Sequence, residues 1–217
     1  EGLYQELACL SRHARRRWLL GAGALTLGGL GLAAWRWWPE QGFTNPCRAN
    51  LPRALANHEV IAAAWEDIDP SRVWDCHAHL VGTGDSGSGI VLNSRMTSPL
   101  SPLLFAQMLF YLNAGCVHEA RDRVDQAYVE RMHNLIDGMR PGFKLMLFAF
   151  DAHVDAAGRE VPARTMFYVP NRYAADMARR HPRYFEWVAS IHPYRADCVE
   201  RLEAAVRDGA RAVKWLP

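Results

Sequence analysis

The stretch Val73-Trp74-Asp75-Cys76-His77-Ala78-His79-Leu80-Val81 decides the fold of this chain. Its composition predicts a β-strand over Val73–Val81, in which successive side chains face opposite sides. Asp75, His77 and His79 then share a polar face, while the other face is apolar and should be buried, with Cys76 in it. Neutral imidazole is the commonest metal ligand in proteins. The strand therefore predicts a divalent metal site at His77 and His79, with Asp75 supporting a ligand from behind.

Strands and helices alternate along the rest of the chain. The patterns predict helices over Pro102–Asn113, Val124–Met139 and Tyr173–Arg180, and strands over Lys144–Phe150, Phe185–Ile191 and Arg211–Leu216. A further helix is expected between Asp197, which forms a capping-box spacing with Glu200, and Gly209. Alternation of this kind is typical of an α/β fold with a parallel sheet and right-handed crossovers.

Four more residues are placed by the predicted strands at the same edge of the sheet. The alternation of the last strand turns Lys214 toward the interior, where a lysine is costly unless it is paired, neutral or modified. His192 follows the third strand and is a candidate for the pocket mouth. Asp151 and His153 follow the second strand and are candidates for the pocket wall or for residues behind the ligands.

A glycine-rich loop over Gly82–Gly89 follows the first strand. Its backbone N–H groups are one way to cradle a phosphate. The loop lacks the lysine and the spacing of a P-loop, however. We therefore expect a mobile rim loop over the metal rather than a phosphate site.

The two-histidine motif is joined by several later segments that form a recognisable set. They are Asn171-Arg172-Tyr173, His181-Pro182-Arg183-Tyr184-Phe185, Ser190-Ile191-His192-Pro193 and Gly209-Ala210-Arg211-Ala212-Val213-Lys214. Together with Asp-x-His-x-His and the glycine-rich loop, this set resembles the amidohydrolase-related branch (amidohydrolase 2) of the metal-dependent amidohydrolase superfamily. The resemblance begins at about Arg72 and runs to the end of the chain.

This resemblance implies a (β/α)8 barrel of the TIM type that hydrolyses or decarboxylates a small substrate. The ligands His77 and His79 would hold a divalent ion, with zinc as the first choice and manganese or iron as alternatives, and the ion would activate water toward a carbonyl group. By strand count Lys214 matches a lysine that bridges two metals in the binuclear branch. Since the branch resembled here usually holds one metal, Lys214 is alternatively a substrate-binding residue or part of an interior ion pair.

The resemblance also sets how much of such a barrel is present. Residues 72–217 hold about four β/α units, whereas a complete barrel takes about 250 residues. Half a barrel would leave an unpaired strand edge and an open core. We therefore expect this sequence to be a fragment of a longer protein, with the general base and further ligands beyond residue 217.

Two other classes of function remain open for the same residues. A metal-dependent phosphoesterase can also begin with paired histidines after a strand, although it would need several metals. A membrane-tethered barrel without turnover is the non-catalytic alternative. Hydrolase and same-family decarboxylase are not separated by these residues.

The beginning of the chain predicts a membrane or export segment. Residues 1–17 are basic, residues 18–38 form a hydrophobic signal or anchor helix, and residues 39–71 form a proline-containing tether and lead-in. The apolar run Trp18–Trp35 would span about 27 Å as a helix, close to the thickness of a bilayer core. Arg15-Arg16-Arg17 followed by Trp18 resembles a twin-arginine signal. The domain after it would be exported, either membrane-anchored or secreted.

Composition narrows the partners further. The formal net charge is only +2, which argues against a nucleic-acid footprint. We expect a small-molecule substrate, and the membrane as the partner of the hydrophobic helix. The chain has 5 cysteines, and no pair is suggested as a disulfide by their spacing.

Overall fold

The computed structural model describes residues 45–120 and 122–215, together with residues 17, 20, 21, 23, 25, 26, 28 and 29. The chain divides into two compact units, residues 1–44 and 45–217. The described residues of the first unit are helical. The predicted basic segment and most of the predicted signal or anchor helix lie outside the described residues. In the described part of the chain, no helix combines the length and apolar character that a membrane span needs.

The second unit is a mixed α/β structure. Its helices are α1 Arg53–Ala56, α2 Glu59–Ala64, α3 Pro102–Ala114, α4 Val124–Asp137, α5 Asn171–Arg180 and α6 Cys198–Arg207. Its strands are β1 Trp74–His79, β2 Val91–Leu92, β3 Lys144–Phe148, β4 Phe167–Tyr168, β5 Phe185–Ser190 and β6 Ala212–Lys214. Short 3-10 turns cover Pro70–Arg72 and Pro162–Arg164.

The main sheet has the order β1-β3-β5-β6, and all three pairings are parallel. The helices α4, α5 and α6 connect successive strands, so the predicted α/β class with a parallel sheet is confirmed. The four strands form a curled sheet of half-barrel type. A second sheet of β2 and β4 is antiparallel and was not expected from the sequence, because each strand has only two residues.

The core lies between the main sheet and the helices α4 and α5. The most buried members include Leu147 of β3, Phe185 of β5 and Ala174 of α5, which are at most 1% exposed. Burial of a large apolar side chain stabilises the fold by about 1.5–3 kcal/mol. The carboxyl ends of the four strands are thereby held at one edge of the sheet, where ligands bind in parallel α/β sheets.

A bulge interrupts the regular alternation of β1. Asp75 pairs with Leu145 and Ala78 with Leu147, so two residues of β1 stand opposite one residue of β3. Cys76 was expected on the buried face, yet it is exposed. The physical reason is the extra residue, which breaks the two-residue period within an edge strand, while Ala78 and Leu80 are buried as predicted.

The described part of the predicted tether, from residue 45 onward, belongs to the second unit and is fastened within it. Cys47 and Cys116 form a disulfide with a Cα–Cα distance of 5.6 Å. Arg131 of α4 donates to the carbonyl oxygens of Cys47 and Arg48, at 3.0 and 2.7 Å. The sequence predicted no disulfide, and the 69-residue separation explains why, since only the fold brings these cysteines together.

The predicted capping box at the start of α6 is not formed. Asp197 is the N-cap residue, but its side chain makes no capping hydrogen bond. Its carboxylate instead accepts from Arg195 at 3.2 Å and from Arg201 at 2.6 Å. Two cationic partners outcompete backbone N–H groups for the carboxylate, because charge-assisted hydrogen bonds are the stronger ones.

Candidate functional site

The two histidines of β1 converge at its carboxyl end. Their Nε2 atoms lie 3.0 Å apart, so one imidazole donates a hydrogen bond to the other. His77 stacks on Phe148, with ring centroids 5.2 Å apart, and His79 meets the same ring edge-on at 5.6 Å. Both imidazoles thus lie on one side of the strand, as the sequence predicted, although the bulge interrupts the alternation of β1.

His79 lies at the end of β1, next to helix α4. The hydroxyl of Tyr128 on α4 donates to the carbonyl oxygen of His79 at 2.8 Å, which ties the end of β1 to that helix. Burial, together with the smaller effects of Lys214 and His77, lowers the pKa of His79 to about 4. The imidazole is therefore neutral at pH 7, which is the form that binds a metal.

Lys214 lies on the same side of the sheet as the histidines. Its Nζ lies over the rings of Phe148 and Phe150, at 4.9 and 5.6 Å from their centroids. Burial lowers the pKa of Lys214. Among the described residues no carboxylate pairs with its ammonium group, so the predicted interior ion pair does not form there.

The histidine pair fits half of a metal site. Two imidazole nitrogens on one ion, each about 2.0–2.1 Å from it, lie about 3.0–3.4 Å apart, and the separation of His77 and His79 is within that range. The described residues bring no third His, Cys, Asp or Glu into a ligand group with them. Asp75 is exposed and accepts a hydrogen bond from the His77 backbone N–H at 2.9 Å, so it supports the backbone of a ligand rather than an imidazole.

A buried polar network occupies the ends of β3 and β5. The Asp151 carboxylate accepts from the His192 backbone N–H at 2.8 Å and from the Arg195 guanidinium at 3.3 Å. The Ser190 hydroxyl accepts from the Asp151 backbone N–H at 2.9 Å. Asn171 exchanges hydrogen bonds with the Ser190 backbone at 2.8 and 3.0 Å. Asp151 thus has a structural role, because its carboxylate holds the backbone of His192 at the cavity wall.

The imidazole of His192 has a defined tautomer. Its Nδ1 accepts from the Tyr194 backbone N–H at 3.2 Å, so the neutral ring carries its proton on Nε2. Both His192 and His153 line the same cavity as His79. The fold therefore brings His79, His153 and His192 to the same cavity.

The glycine-rich loop is anchored by Asp125 of α4. Asp125 is fully buried and accepts from the N–H groups of Thr83, Gly84 and Ser86, at 2.8, 3.0 and 3.3 Å. It also accepts from the hydroxyls of Ser86 and Ser88, both at 2.7 Å. These N–H groups are taken by a carboxylate of the chain itself, so the loop does not offer them to a phosphate.

The anchoring is reciprocal. Asp85 of the loop accepts from the N–H groups of Val124 and Asp125, which begin α4. Burial raises the pKa of Asp125, but the hydrogen bonds from Ser88, Ser86, Gly84 and Thr83 outweigh it and the net pKa is lowered. A Cβ at Gly82 would collide with the Asp125 carboxylate, which requires glycine at that position. The loop was expected to be mobile, but hydrogen bonds in both directions fasten it to the start of α4.

A cavity of about 1380 Å³ lies beside these groups. The predicted residues that line it are His79, Asp151, His153 and His192. His77, Asp75 and Lys214 are not among the lining residues. The fold therefore gathers His79 and the β3 and β5 residues around a cavity, while His77 and Lys214 stand beside it on the sheet.

Sequence reasoning missed several residues on which this site depends. Asp125 and Arg195 look like ordinary charged surface positions in the sequence, yet they are 0% and 7% exposed. One signal was available for Asp125, because helix α4 has an apolar stripe and Asp125 falls on the side of Val129 and Met132. For Arg195 there was no such signal, since it lies in an irregular turn between β5 and α6.

No protein-family model, curated protein or solved structure matches this chain.

Proposed function

We propose that this domain belongs to a metal-dependent hydrolase built on a (β/α)8 barrel, with His77 and His79 as two ligands of a divalent ion. The observation that carries the proposal is the 3.0 Å separation of the two Nε2 atoms at the carboxyl end of β1. It is supported by the four parallel strands, since active sites of such barrels lie at the carboxyl ends of the strands.

The residues of the chain have separable roles in this proposal. When bound, a divalent ion polarises a substrate carbonyl and makes water a nucleophile at neutral pH. His79 stays neutral because its pKa is lowered to about 4 by burial and by the nearby charges. Lys214 adds a cationic side chain beside the histidines, held over the faces of Phe148 and Phe150.

The network of Asp151 gives the site its shape. Its carboxylate has partners on both oxygen atoms, so it acts as a positioning residue for His192 and not as a proton acceptor. The Nε2–H of His192 is then available as a donor at the cavity wall, where it can orient a carbonyl or carboxylate oxygen of the substrate.

Metal binding by single variants tests the proposal. Zinc titration of the full-length protein by calorimetry should give one site per chain, and His77→Ala or His79→Ala should weaken binding by about 10- to 100-fold or more. His118→Ala, an exposed histidine whose near neighbour is Glu119, is the matched control and should bind like the parent. If the parent binds no zinc, manganese or iron at stoichiometric level, the proposal is wrong.

Product analysis then separates the reactions that use these residues. A hydrolase consumes one water per bond broken, whereas a decarboxylase releases carbon dioxide from a carboxylate substrate. Phosphodiester cleavage without activity toward esters, amides or lactones would favour the phosphoesterase. Metal binding without turnover on any of these would favour a non-catalytic protein.

We also propose that the domain is exported, with residues 18–38 as a membrane anchor or a cleaved signal. The Cys47–Cys116 disulfide supports this, because disulfides form and persist in oxidising compartments. Fractionation of cells that express the full chain, with thiol labelling before and after reduction, tests it. Two protected thiols in the exported fraction are expected, and a reduced pair in the cytosol would contradict export.

A further inference from the structure

The walls of the cavity are unusually apolar for a site with several histidines. Its volume of about 1380 Å³ exceeds the roughly 300–1,000 Å³ that is usual for small-molecule sites. Two helices supply the apolar lining, with Leu103, Leu104, Met108 and Leu112 from α3 and Met132 and Leu135 from α4. A small polar substrate would leave most of this surface in contact with water.

Helix α3 is the exposed part of this wall. It has no charged residue, and none of its residues is buried in the described structure. Leu103, which lines the cavity, is 82% exposed. Contiguous apolar surface of this kind in a soluble domain marks a place that something apolar covers.

The charged residues of the cavity favour an anion. Four of them line it, namely Arg95, Arg131, Arg164 and Asp151. Asp151 is neutralised by Arg195, and Arg131 is committed to the carbonyls of Cys47 and Arg48. Within residues 45–120 and 122–215, no carboxylate pairs with Arg95 or Arg164.

The small sheet of β2 and β4 brings these two arginines to the same rim. Arg95 follows β2 by three residues, and Arg164 ends the 3-10 turn that precedes β4. The Asn93 side chain bridges the two segments, since its amide donates to the carbonyl oxygens of Thr165 and Ala163 at 3.0 and 3.4 Å. Two free guanidinium groups are thus presented beside an apolar wall.

We propose that the cavity binds a hydrophobic acid of lipid size, with the apolar body against α3 and α4 and the anionic group at Arg95 and Arg164. The inference rests on the proposed function only in that it names the substrate class of that same site. Guanidinium groups recognise carboxylates and phosphates through paired N–H donors. The apolar walls supply affinity by burial, and the arginines select the acid over its neutral counterparts.

A fluorescent acid tests this directly. The full chain, kept in chelator so that no metal is bound, is titrated with 11-(dansylamino)undecanoic acid and with its methyl ester. Blue-shifted emission and saturable binding are expected for both, with the acid bound about tenfold more tightly. Dodecanoic acid should displace the probe and butyric acid should not, because only the longer acid covers the apolar wall.

Matched variants locate the binding groups. Met108→Glu places a charge on the cavity wall and should weaken both probes by about tenfold or more, whereas Leu109→Glu, on the adjacent position outside the cavity, should not. Arg95→Gln with Arg164→Gln should weaken the acid to the level of the ester and leave the ester unchanged. Arg183→Gln, exposed and outside the cavity, is the control.

The outcomes separate this inference from the proposed function. It is overturned if neither probe saturates, if acid and ester bind equally, or if Met108→Glu and Leu109→Glu behave alike. The double variant His77→Ala with His79→Ala should lose zinc binding and retain the acid. Zinc binding without acid binding would refute the hydrophobic acid as the ligand and leave the hydrolase proposal standing. Acid binding without zinc binding would refute the hydrolase proposal and leave the hydrophobic acid standing.

Discussion

The carboxyl end of β1 and the carboxyl ends of β3 and β5 both carry polar side chains, but they differ in how many partners the protein supplies. At β3 and β5, Asp151 and Arg195 are 7–8% exposed and every oxygen of Asp151 has a donor from the chain. At β1, His77 is exposed, and its imidazole has His79 as its described hydrogen-bond partner.

This difference separates structural groups from groups that are free to act. A buried charge with incomplete partners costs several kcal/mol, so the network at β3 and β5 must be complete for the domain to fold. The imidazoles of β1 are bound mainly to each other, through the hydrogen bond between their Nε2 atoms. A ligand from outside the chain can replace that hydrogen bond, so the loss of either residue should affect binding more than folding.

The largest expected effect comes from breaking the complete network. Arg195→Met leaves the Asp151 carboxylate buried without its counter-ion and should lower the free energy of unfolding by about 3 kcal/mol or more. Urea denaturation measures it. Arg201→Met is the matched control, because its side chain is 39% exposed and Asp197 is its ion-pair partner among the described residues, and it should cost less than about 1 kcal/mol. Equal losses in the two variants would contradict the distinction.

Replacement of Asp125, which anchors the glycine-rich loop, should destabilise the folded protein, as replacement of Arg195 in the network at β3 and β5 should. Asp125→Asn removes a carboxylate that accepts five hydrogen bonds from the loop, and it should lower the free energy of unfolding by about 2 kcal/mol. Because the folded-state pKa of Asp125 is lowered, its contribution is present above the unfolded value of about 3.9 and is lost as pH falls through the folded value. Denaturation curves between pH 2 and 6 should be flatter for Asp125→Asn, while Asp137→Asn, an exposed change, should keep the parent slope.

The histidine pair should show the opposite behaviour. Without metal, His77→Ala should change the free energy of unfolding by less than about 1 kcal/mol, since the side chain is exposed. With zinc at about 100 times the parent's dissociation constant, the parent should gain about 2.7 kcal/mol, whereas the variant, which binds zinc about 10- to 100-fold more weakly, should gain only about 0.4–1.4 kcal/mol. Thermal denaturation with and without zinc checks both statements. A large loss in the metal-free state would mean that His77 is structural.

The last effect is confined to acidic pH and concerns the protonation of His79 in the metal-free protein. Its folded-state pKa is lowered to about 4, first by burial and then by Lys214 and His77, so below pH 6.5 the unfolded chain binds more protons. Stability is therefore full above pH 6.5 and declines as pH falls toward 4, where the decline levels off. His79→Gln should remove that part of the pH slope. An unchanged slope between pH 4 and 6.5 would show that His79 does not carry it.

Much of the secondary structure could be predicted because it depends on local pattern. All eight strands and helices predicted after residue 72 are present, with ends that move by up to about three residues, as is usual where helices and strands fray. The convergence of His77 and His79 followed from their spacing, and the alternation of β6 indicated the side of the sheet on which half-buried Lys214 lies. The bulge in β1 could not be predicted, since it depends on how β1 pairs with β3.

What the sequence determined by itself, then, is the order of elements and the side of each strand on which the polar residues lie, because hydrophobic periodicity acts over a few residues. Only the tertiary structure decided which distant charges are buried together. Arg195 meets Asp151 across 44 residues, Asp125 meets the loop across about 40, and Cys47 meets Cys116 across 69. The two charged contacts are stable only where the packed sheet and helices surround them, and the disulfide forms only because the fold brings the two cysteines together, so no local pattern encodes any of the three.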